Sequence, residues 1–459
     1  MHNITNKIID DTSSGLVVPA PEVRASTTQI CGLYPFLTGV ETPTIGVPIG
    51  RDLFTGATVC SDPVSWFSKA KLIANPSLLV TGRPGLGKSS LVRRMATGLS
   101  AYGVTPLVFG DLKPDYKNLI KNLGGNIIEL GRARGSLNIL DPGSTRKQAD
   151  RLTGEARQHL ISDIEGRRLT TLAALLTLNR ANKVTDHEEA ILATALQALD
   201  TKHNEPTLYN LIDLLSAPTE AVESITLSKG DTEKYFESVN PLLRSIAALT
   251  QGAIGDLFAK PTTTPIDLTK PVCINVSGIS ESDEKLQAAV LLACWSEGFG
   301  SIAALQALSD AQLEPQQNFV VILDELWRVL RTGEAMADRI DSLTRLDRST
   351  GVGTIMVTHT LKDLTNNKTS GFAERMGYFA MTGVPQAEIN GIRELVNLSN
   401  AEAKLLTSWS TPETWNQQKL AHPPGLGKIL FKIGGRPGLA TQTVLTQSEQ
   451  KIHDTNTRW

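Results

Sequence analysis

A glycine-rich stretch between an apolar run and a helical pattern most constrains the fold of this chain. Residues 82–89 read GRPGLGKS and match the pattern G-x-x-x-x-G-K-[ST] at every required position. Residues 76–81 predict a short buried strand, and apolar residues recur at helical spacing downstream of the glycines. Strand, glycine turn and helix in this order predict a P-loop, which binds phosphate through backbone N–H groups and the helix N-terminus. We therefore expect the chain to bind a nucleoside triphosphate rather than to carry a chance glycine turn.

The side chains of this stretch predict individual roles in binding ATP and Mg²⁺. Lys88 is expected to reach the β- and γ-phosphates, and the Ser89 hydroxyl to bind Mg²⁺. The predicted nucleotide-binding residues are Gly82, Arg83, Pro84, Gly85, Leu86, Gly87, Lys88, Ser89 and Ser90. Residues 424–429, PGLGKI, resemble a second P-loop, but Ile429 replaces the hydroxyl that Mg²⁺ needs. The apolar run after them predicts instead a turn that enters a late hairpin.

Composition excludes several classes of function. The chain of 459 residues carries 45 Lys and Arg against 47 Asp and Glu, so it lacks the basic footprint of a dedicated DNA-binding domain. Doublets such as Arg93-Arg94 predict solvated helix faces. The four cysteines lie far apart and predict buried thiols in a reducing compartment rather than disulfides or zinc ligands. No apolar run reaches the roughly 18 residues of a membrane span, and no signal peptide is evident, so we expect a cytoplasmic protein.

Continuous apolar runs predict an α/β fold, namely a RecA-like P-loop NTPase domain with a mainly parallel central sheet. Runs without alternation are typical of parallel strands buried on both faces. A helical pattern between the P-loop and the later strands predicts an all-helical insertion. The capping box Thr185-x-x-Glu188 marks the start of one of its helices. The predicted segments are a loose tail (1–25), a β-rich lead-in (26–75), the P-loop half of the core (76–143), the helical insertion (144–250), the second half of the core with a C-terminal hairpin (251–446) and a tail (447–459).

An aliphatic run that ends in two acids predicts the hydrolytic part of the site. Residues 319–323 are apolar and are followed by Asp324 and Glu325, as in a Walker B strand. Asp324 is expected to position Mg²⁺, and Glu325 to act as the general base on the attacking water. The Asp-Glu doublet favours an ATPase motor of the RecA/AAA type over a signalling GTPase. The sequence also lacks the N-K-x-D motif with which GTPases recognise guanine.

Four further polar residues have open roles. His359 follows the next apolar run, where such motors carry a sensor of the γ-phosphate, but a structural role is equally compatible with the sequence. Asp111 follows the second predicted strand and either supports the site or caps the following turn. Arg345 and Arg348 lie between the Walker B helix and the sensor strand. Arg348 is the candidate for an arginine that completes the site of a neighbouring subunit in a ring.

These motifs together resemble those of type IV secretion and conjugation ATPases of the VirB-four/TraC type, in the FtsK–HerA superfamily. Residues 322–327, ILDELW, then Arg348-Ser349-x-Gly351 and Val357-Thr358-His359 resemble the family's "DEAW … RK-x-G … TQ" sequence. Residues 110–116, 124–141 and 252–258 resemble its "D-x-K", "GG…NPLD" and "G-x-x-G-x-L-F" segments. His359 stands where the family has Gln. The resemblance covers residues 75–445 and implies a hexamer-forming cytoplasmic ATPase that works at the inner membrane.

The leading hypothesis is an ATP-hydrolysing motor subunit that energises conjugative DNA transfer or type IV secretion. Its implied partners are copies of itself and inner-membrane channel components, with weak or transient contact to DNA. One alternative is a DNA-pumping translocase or coupling protein of the same superfamily. Another is a nucleotide-gated scaffold with little turnover. Glu325 argues against this alternative, because a scaffold needs no general base.

Overall fold

The computed structural model describes residues 42–180, 182–326, 328, 351–359, 375–410 and 423–453. Arg345 and Arg348 lie outside the described residues, as do Cys31 and the predicted N-terminal tail. The chain divides into two compact units, which are described separately below. The first unit comprises Met1–Pro106, Phe319–Trp327 and Asp347–Trp459, and the second comprises Leu107–Asn318 and Arg328–Leu346.

Strands occur in both units. In chain order the described strands are β1 (Pro48–Asp52), β2 (Thr58–Cys60), β3 (Ser77–Thr81), β4 (Val104–Asp111), β5 (Asn126–Glu129), β6 (Val272–Asn275), β7 (Asn318–Leu323), β8 (Val352–Val357), β9 (Tyr378–Met381), β10 (Lys428–Lys432) and β11 (Leu439–Thr443). Five of the six strands for which the sequence shows a continuous apolar run, β3, β6, β7, β8 and β10, begin within one residue of that run. β4 begins earlier, at Val104, and includes the predicted run 106–109.

Helices fill the connections between these strands. The described α-helices are α1 (Pro63–Ser68), α2 (Lys88–Ala101), α3 (Lys117–Asn122), α4 (Gly143–Ala149), α5 (Gly154–Arg180), α6 (Asp186–Lys202), α7 (Leu208–Leu215), α8 (Glu220–Thr226), α9 (Thr232–Leu249), α10 (Gly252–Phe258), α11 (Glu284–Asp310), α12 (Ile389–Leu395), α13 (Asn400–Trp409) and α14 (Gln447–His453). The Thr185 capping box predicted from the sequence is present, with both of its hydrogen bonds, at the start of α6.

The first unit is built on a mixed sheet. Its strand order is β2-β1-β11-β10-β9-β3-β8-β7. The strands β9, β3, β8 and β7 are parallel, whereas β10, β11, β1 and β2 extend the sheet by antiparallel pairs. All five residues of β3 are buried, because β3 lies between β8 and β9 and is covered on both faces. The P-loop strand is therefore central in this sheet, and the predicted late hairpin is β10 and β11.

Helix α2 packs against β1 and against Val47, the residue that precedes it. Its buried face includes Leu91, Val92, Met95 and Leu99, which recur at helical spacing. At Gly98 a Cβ atom would lie 2.3 Å from Cγ1 of Val47, so only glycine allows this close approach. The contact fixes the helix that follows the P-loop against the N-terminal strands.

The second unit combines a short parallel sheet with most of the helices. Its strand order is β4-β6-β5, and both strand pairs are parallel. The two long helices α5 and α11 pack along each other, α6 to α9 pack on one another, and α6 and α9 also pack on α5. The fold class expected from the sequence is confirmed, whereas the segment boundaries given above stay predictions.

Helix α11 is the most apolar helix of the second unit. It has 27 residues and begins after Asp283, whose side chain accepts a hydrogen bond from the backbone of Leu286. By length and composition it is the one helix in the described part of the chain that could cross a membrane, yet 83% of its most apolar window is buried in the fold. A helix that is apolar on all sides is also what a protein core requires.

Candidate functional site

The turn between β3 and α2 has the backbone of a phosphate-binding loop. Gly82, Gly85 and Gly87 have φ angles of +128°, +79° and +99°, which residues with a side chain rarely adopt. A Cβ atom on Gly82 would also lie 2.2 Å from Oγ1 of Thr382. A Cβ atom on Gly85 would meet no atom within 4 Å, so the loop borders open space at this position. The glycines thus allow backbone N–H groups to turn toward a ligand.

The Lys88 side chain folds back against its own loop. Its Nζ atom donates hydrogen bonds to the carbonyl oxygens of Gly82, at 2.5 Å, and of Arg83, at 3.0 Å. The residue is only 5% exposed, although it carries a charge. A buried ammonium group requires acceptors, and the oxygens of a bound triphosphate can replace these carbonyls. The contact of Lys88 with the β- and γ-phosphates expected from the sequence stays a prediction.

Three other segments of the first unit hold the loop in place. The Arg83 amide donates to the carbonyl of Gly383, just after β9, at 3.0 Å. The Arg83 guanidinium donates to the carbonyl of Ser410, just after α13. The amide of Gly427 donates to the carbonyl of Leu86 at 3.1 Å. The residues 424–427 that resemble a second P-loop thus form a turn that enters β10, as predicted, and this turn contacts the true P-loop.

The two acids of the predicted Walker B element follow β7. Oδ1 of Asp324 accepts a hydrogen bond from the backbone N–H of Glu325 at 2.8 Å. Glu325 is 4% exposed and has a φ angle of +56°, in the left-handed region. A residue other than glycine at such a φ is strained by about 1–3 kcal/mol. The backbone therefore fixes the direction in which the Glu325 carboxylate leaves the strand.

His359 contacts Glu325. Nε2 of His359 lies 3.2 Å from Oε1 of Glu325, and the backbone N–H of the preceding residue, Thr358, donates to the carbonyl of Val80 in β3. Because β8 lies between β3 and β7, its end brings His359 between the P-loop strand and the Walker B acids. The structure thus brings Lys88, Asp324, Glu325 and His359 to the same end of the first unit's sheet, where the parallel strands β3, β8 and β7 have their carboxyl termini.

The donors predicted for Mg²⁺ have suitable chemistry. Ser89 lies in the first turn of α2, and Asp324 lies at the end of β7; both are partly buried. Mg²⁺ prefers oxygen ligands and keeps waters and phosphate oxygens in most of its positions, so few protein ligands suffice. Within the described ranges no cluster of three or more His, Cys, Asp or Glu residues could hold a metal ion by itself. The residues present fit a magnesium ion that binds together with a triphosphate.

Asp111 in the second unit takes the capping role that the sequence left open. Its two carboxylate oxygens accept hydrogen bonds from the backbone N–H groups of Asp115, at 3.0 Å, and Tyr116, at 2.9 Å. The turn between β4 and α3 depends on these bonds. Burial raises the pKa of the Asp111 carboxyl to about 6, despite the two donors that lower it. The carboxyl thus stabilises a turn.

A separate polar cavity lies inside the second unit. It has a volume of about 30 Å³, enough for one or two water molecules, and is bordered by α5, α11 and the segment before α4. Burial raises the pKa of the Glu297 carboxyl in its lining to about 7. None of the nucleotide-site residues predicted from the sequence borders this cavity.

Sequence reasoning missed the residues that surround the P-loop. Thr382, Gly383 and Ser410 contact it from β9 and α13, and no local pattern marks them. Gly427 carried a signal, because a glycine at the start of a strand often marks close approach of another backbone. The Nδ1 atom of His359 is buried and has no hydrogen-bond partner among the described residues.

The chain resembles solved structures. The structure of VirB4 of Thermoanaerobacter pseudethanolicus superposes with a TM-score of 0.65 at 17% sequence identity, over 90% of this chain and 100% of that one. The plasmid coupling protein TrwB, solved with ADP and Mg²⁺, gives a TM-score of 0.49 at 12% identity, over 96% of this chain and 99% of that one. The likeness to VirB4 shows that the two chains share a fold. No curated protein matches the sequence significantly.

A family model for the HerA-like helicase C-terminal region matches residues 65–397. The matched range contains the P-loop, both Walker B acids and His359, and it covers well over half of the 459 residues. The resemblance stated from the motifs is thereby confirmed, since the family lies in the same superfamily of P-loop motors. The chain belongs to the family of HerA-like helicase C-terminal domains and has the fold of VirB4.

Proposed function

We propose that this protein hydrolyses ATP as a motor subunit of a conjugation or type IV secretion apparatus. The observation that carries the proposal is the position of Glu325. Its carboxylate follows β7 at the end of the sheet where β3 enters the P-loop, and it is hydrogen-bonded to His359 at the end of β8, the strand between them. A buried carboxylate beside a phosphate-binding loop is the arrangement that activates water for phosphoryl transfer.

ATP binding uses groups that the protein already holds in place. Backbone N–H groups of the loop and the positive end of the α2 dipole attract the phosphates. Lys88 exchanges the carbonyls of Gly82 and Arg83 for phosphate oxygens. Ser89 and Asp324 would hold Mg²⁺, which would supply positive charge against the triphosphate.

Hydrolysis requires a base next to the attacking water. Glu325 accepts a proton from water as the water oxygen bonds to the γ-phosphorus. The bond from the γ-phosphorus to the bridging oxygen breaks, and ADP and inorganic phosphate leave. Lys88 stabilises the charge that develops during this step, and Arg348 of an adjacent subunit is proposed to contribute the second cation.

The proposal is tested by phosphate release from Mg²⁺-ATP by the full chain, with ADP formation measured in parallel. We expect turnover that disappears when Mg²⁺ is chelated and that exceeds turnover with GTP. A protein that binds ATP tightly but releases no phosphate at any concentration would be a nucleotide-gated scaffold instead.

The proposed partners and location follow from the same function. We propose that the subunits form a hexamer and that the ring acts in the cytoplasm, at the inner face of the membrane, on channel components of the secretion or conjugation machinery. Contact with DNA is proposed to be weak or transient, because the 45 Lys and Arg residues are balanced by 47 Asp and Glu residues.

A DNA-pumping translocase is the second candidate function, since the matching family model describes helicase-like proteins. The two functions differ in what DNA does to turnover. A translocase is stimulated by duplex DNA, and its stimulation weakens steeply with salt because phosphate contacts release counterions. A secretion motor that only opens a channel shows the same rate with and without DNA.

A further inference from the structure

The hydrogen bond between His359 and Glu325 has a direction that its chemistry fixes. An ionised carboxylate only accepts, so Nε2 of His359, 3.2 Å from Oε1 of Glu325, carries the proton. In the neutral imidazole the other nitrogen, Nδ1, then has no proton and can only accept. Nδ1 is buried and has no hydrogen-bond partner in the described part of the chain.

This tautomer does not suit a direct contact with the γ-phosphate. Phosphate oxygens accept hydrogen bonds, and the only N–H group of the neutral ring already points at Glu325. The sensor role expected from the sequence would require His359 to release Glu325. The structure therefore favours a role for His359 that acts through the carboxylate.

The backbone holds both members of the pair. Glu325 is fixed by its left-handed φ of +56° and by the bond from its N–H to Oδ1 of Asp324. His359 is held through Thr358, whose N–H donates to Val80. The pair of Leu323 and Met356 aligns β7 with β8 just before the two side chains. The side chain of Glu325 is 5% exposed and that of His359 is 27% exposed, so the bond is largely shielded from water.

A general base must present one oxygen within about 2.6–3.2 Å of the proton that it takes. The glutamate side chain has three rotatable bonds, and a hydrogen bond to Oε1 restricts the last of them and thereby orients Oε2. We infer that His359 is a positioning residue that orients the Glu325 carboxylate toward the attacking water. The inference rests on the proposed function, because it assigns Glu325 the role of base.

A double-mutant cycle tests this inference in the full chain. The variants are His359→Ala, Glu325→Gln and the combination, each measured for ATP Kd and for single-turnover hydrolysis with protein in excess. We expect His359→Ala to lower the hydrolysis rate roughly 10- to 100-fold, which lies within the worth of one general base, and to leave the ATP Kd within about 2-fold. In the Glu325→Gln background the same change should cost less than about 2-fold, because the base on which His359 acts is gone.

Conservative variants give a second readout. The amide NH₂ of Gln reaches the position of Nε2, so His359→Gln should retain most activity. The shorter Asn places its NH₂ near Nδ1 and should behave like Ala. The control is His159→Ala, which removes an exposed histidine from the surface of α5 and should hydrolyse ATP at the wild-type rate.

Two results would overturn the inference. One is an equal loss from His359→Ala in the wild-type and Glu325→Gln backgrounds, which would show that the histidine acts independently of the base. The other is weaker binding of ATP with unchanged binding of ADP in His359→Ala, which would indicate a γ-phosphate contact. Failure of the proposed function itself has a different signature, since the wild-type protein would then release no phosphate.

Discussion

The amide of Gly427 donates a hydrogen bond to the carbonyl of Leu86, and this 3.1 Å contact joins the turn before β10 to the P-loop. The two backbones also approach at Gly87, where a Cβ atom would lie 3.4 Å from Cα of Gly427. The carbonyl of Gly427 also accepts a hydrogen bond, at 2.8 Å, from the amide of Thr443 in β11. The C-terminal hairpin thus supports the loop that is proposed to bind phosphate.

Gly427→Ala should weaken nucleotide binding. The residue has a φ angle of +70°, which strains an alanine, and an added Cβ atom would lie 2.7 Å from Nε2 of Gln442, so this amide must move and give up its hydrogen bond to the carbonyl of Leu426 beside the P-loop contact. We expect ATP affinity to fall roughly 10-fold, which corresponds to about 1.4 kcal/mol. Titration with a fluorescent ATP analogue measures this loss.

Gly434→Ala is the matched control for that variant. Gly434 lies in the turn between β10 and β11 and also has a positive φ, +48°, but a Cβ atom there meets nothing within 4 Å. It carries a similar backbone strain, about 1–2 kcal/mol, without a contact to the P-loop. Equal loss of affinity in both variants would attribute the effect to general destabilisation of the hairpin.

Lys88→Ala should abolish both binding and turnover of ATP. The variant removes the cation that faces the carbonyls of Gly82 and Arg83 and is proposed to meet the β- and γ-phosphates. Phosphate release and equilibrium ATP binding are measured together. Wild-type turnover in this variant would contradict the assignment of the nucleotide site.

Glu325→Gln should separate binding from chemistry. The amide preserves the shape of the side chain and can still bond to His359, but it cannot take a proton. We expect ATP to bind normally and to be hydrolysed at least 10²-fold more slowly, roughly the worth of one general base. If the variant instead loses ATP binding, Glu325 has a structural role, which its strained φ of +56° would then serve.

Sequence reasoning found what local patterns and the geometry of parallel strands determine. The P-loop glycines, Lys88 and the acids after β7 were predicted because each follows directly from a motif in its strand and turn context. The bond between His359 and Glu325 was not, because it depends on the register of β7 against β8. A sequence shows which strand ends carry polar residues but not which atoms meet.

Short strands and buried charges were also beyond the sequence. β5 and β9 have only four residues each, too few to show a period. Arg93 is expected on a solvated helix face, but it is buried at 3% exposure and its Nε donates to the carbonyl of Ser89. Its burial reflects the elements packed around α2, which lie far away in the sequence.

An ion pair in the second unit predicts how the stability of that unit depends on pH. Arg180 donates two hydrogen bonds of 2.7 Å to Glu188, one to each carboxylate oxygen. These bonds lower the pKa of Glu188 to about 2 from its usual value of 4.5. Because the folded-state pKa is the lower one, the stabilisation is complete above pH 4.5 and is lost as the pH falls toward 2.

Arg180→Met should therefore lower the free energy of unfolding of the second unit by roughly 1.5–3 kcal/mol at pH 7 and by much less at pH 3. Urea-unfolding midpoints from far-UV circular dichroism at the two pH values measure the difference. The control is Arg157→Met, which removes a more exposed pair with Asp150 and should cost about 0.5 kcal/mol or less. A pH-independent loss in Arg180→Met would show that the arginine stabilises through packing of its stem.

The last prediction joins assembly to catalysis. In the described P-loop the Arg83 guanidinium donates to the carbonyl of Ser410, so Lys88 is the cation that this loop offers to the charge that develops on the γ-phosphate. An arginine from the adjacent subunit of a ring would supply a second cation, and Arg348, which lies outside the described residues, is the proposed candidate. We expect specific activity to rise with protein concentration as rings form. Arg348→Ala should lose turnover and keep its affinity for ATP.

Mixing two inactive variants tests whether that arginine acts across a subunit boundary. In a mixed ring, an Arg348→Ala subunit keeps its own base, Glu325, and receives an intact Arg348 from a neighbouring Glu325→Gln subunit. Such sites are complete, so the mixture should regain part of the wild-type rate although neither variant is active alone. Activity that does not depend on concentration, or a mixture no faster than its two components, would show that Arg348 does not complete a neighbour's site.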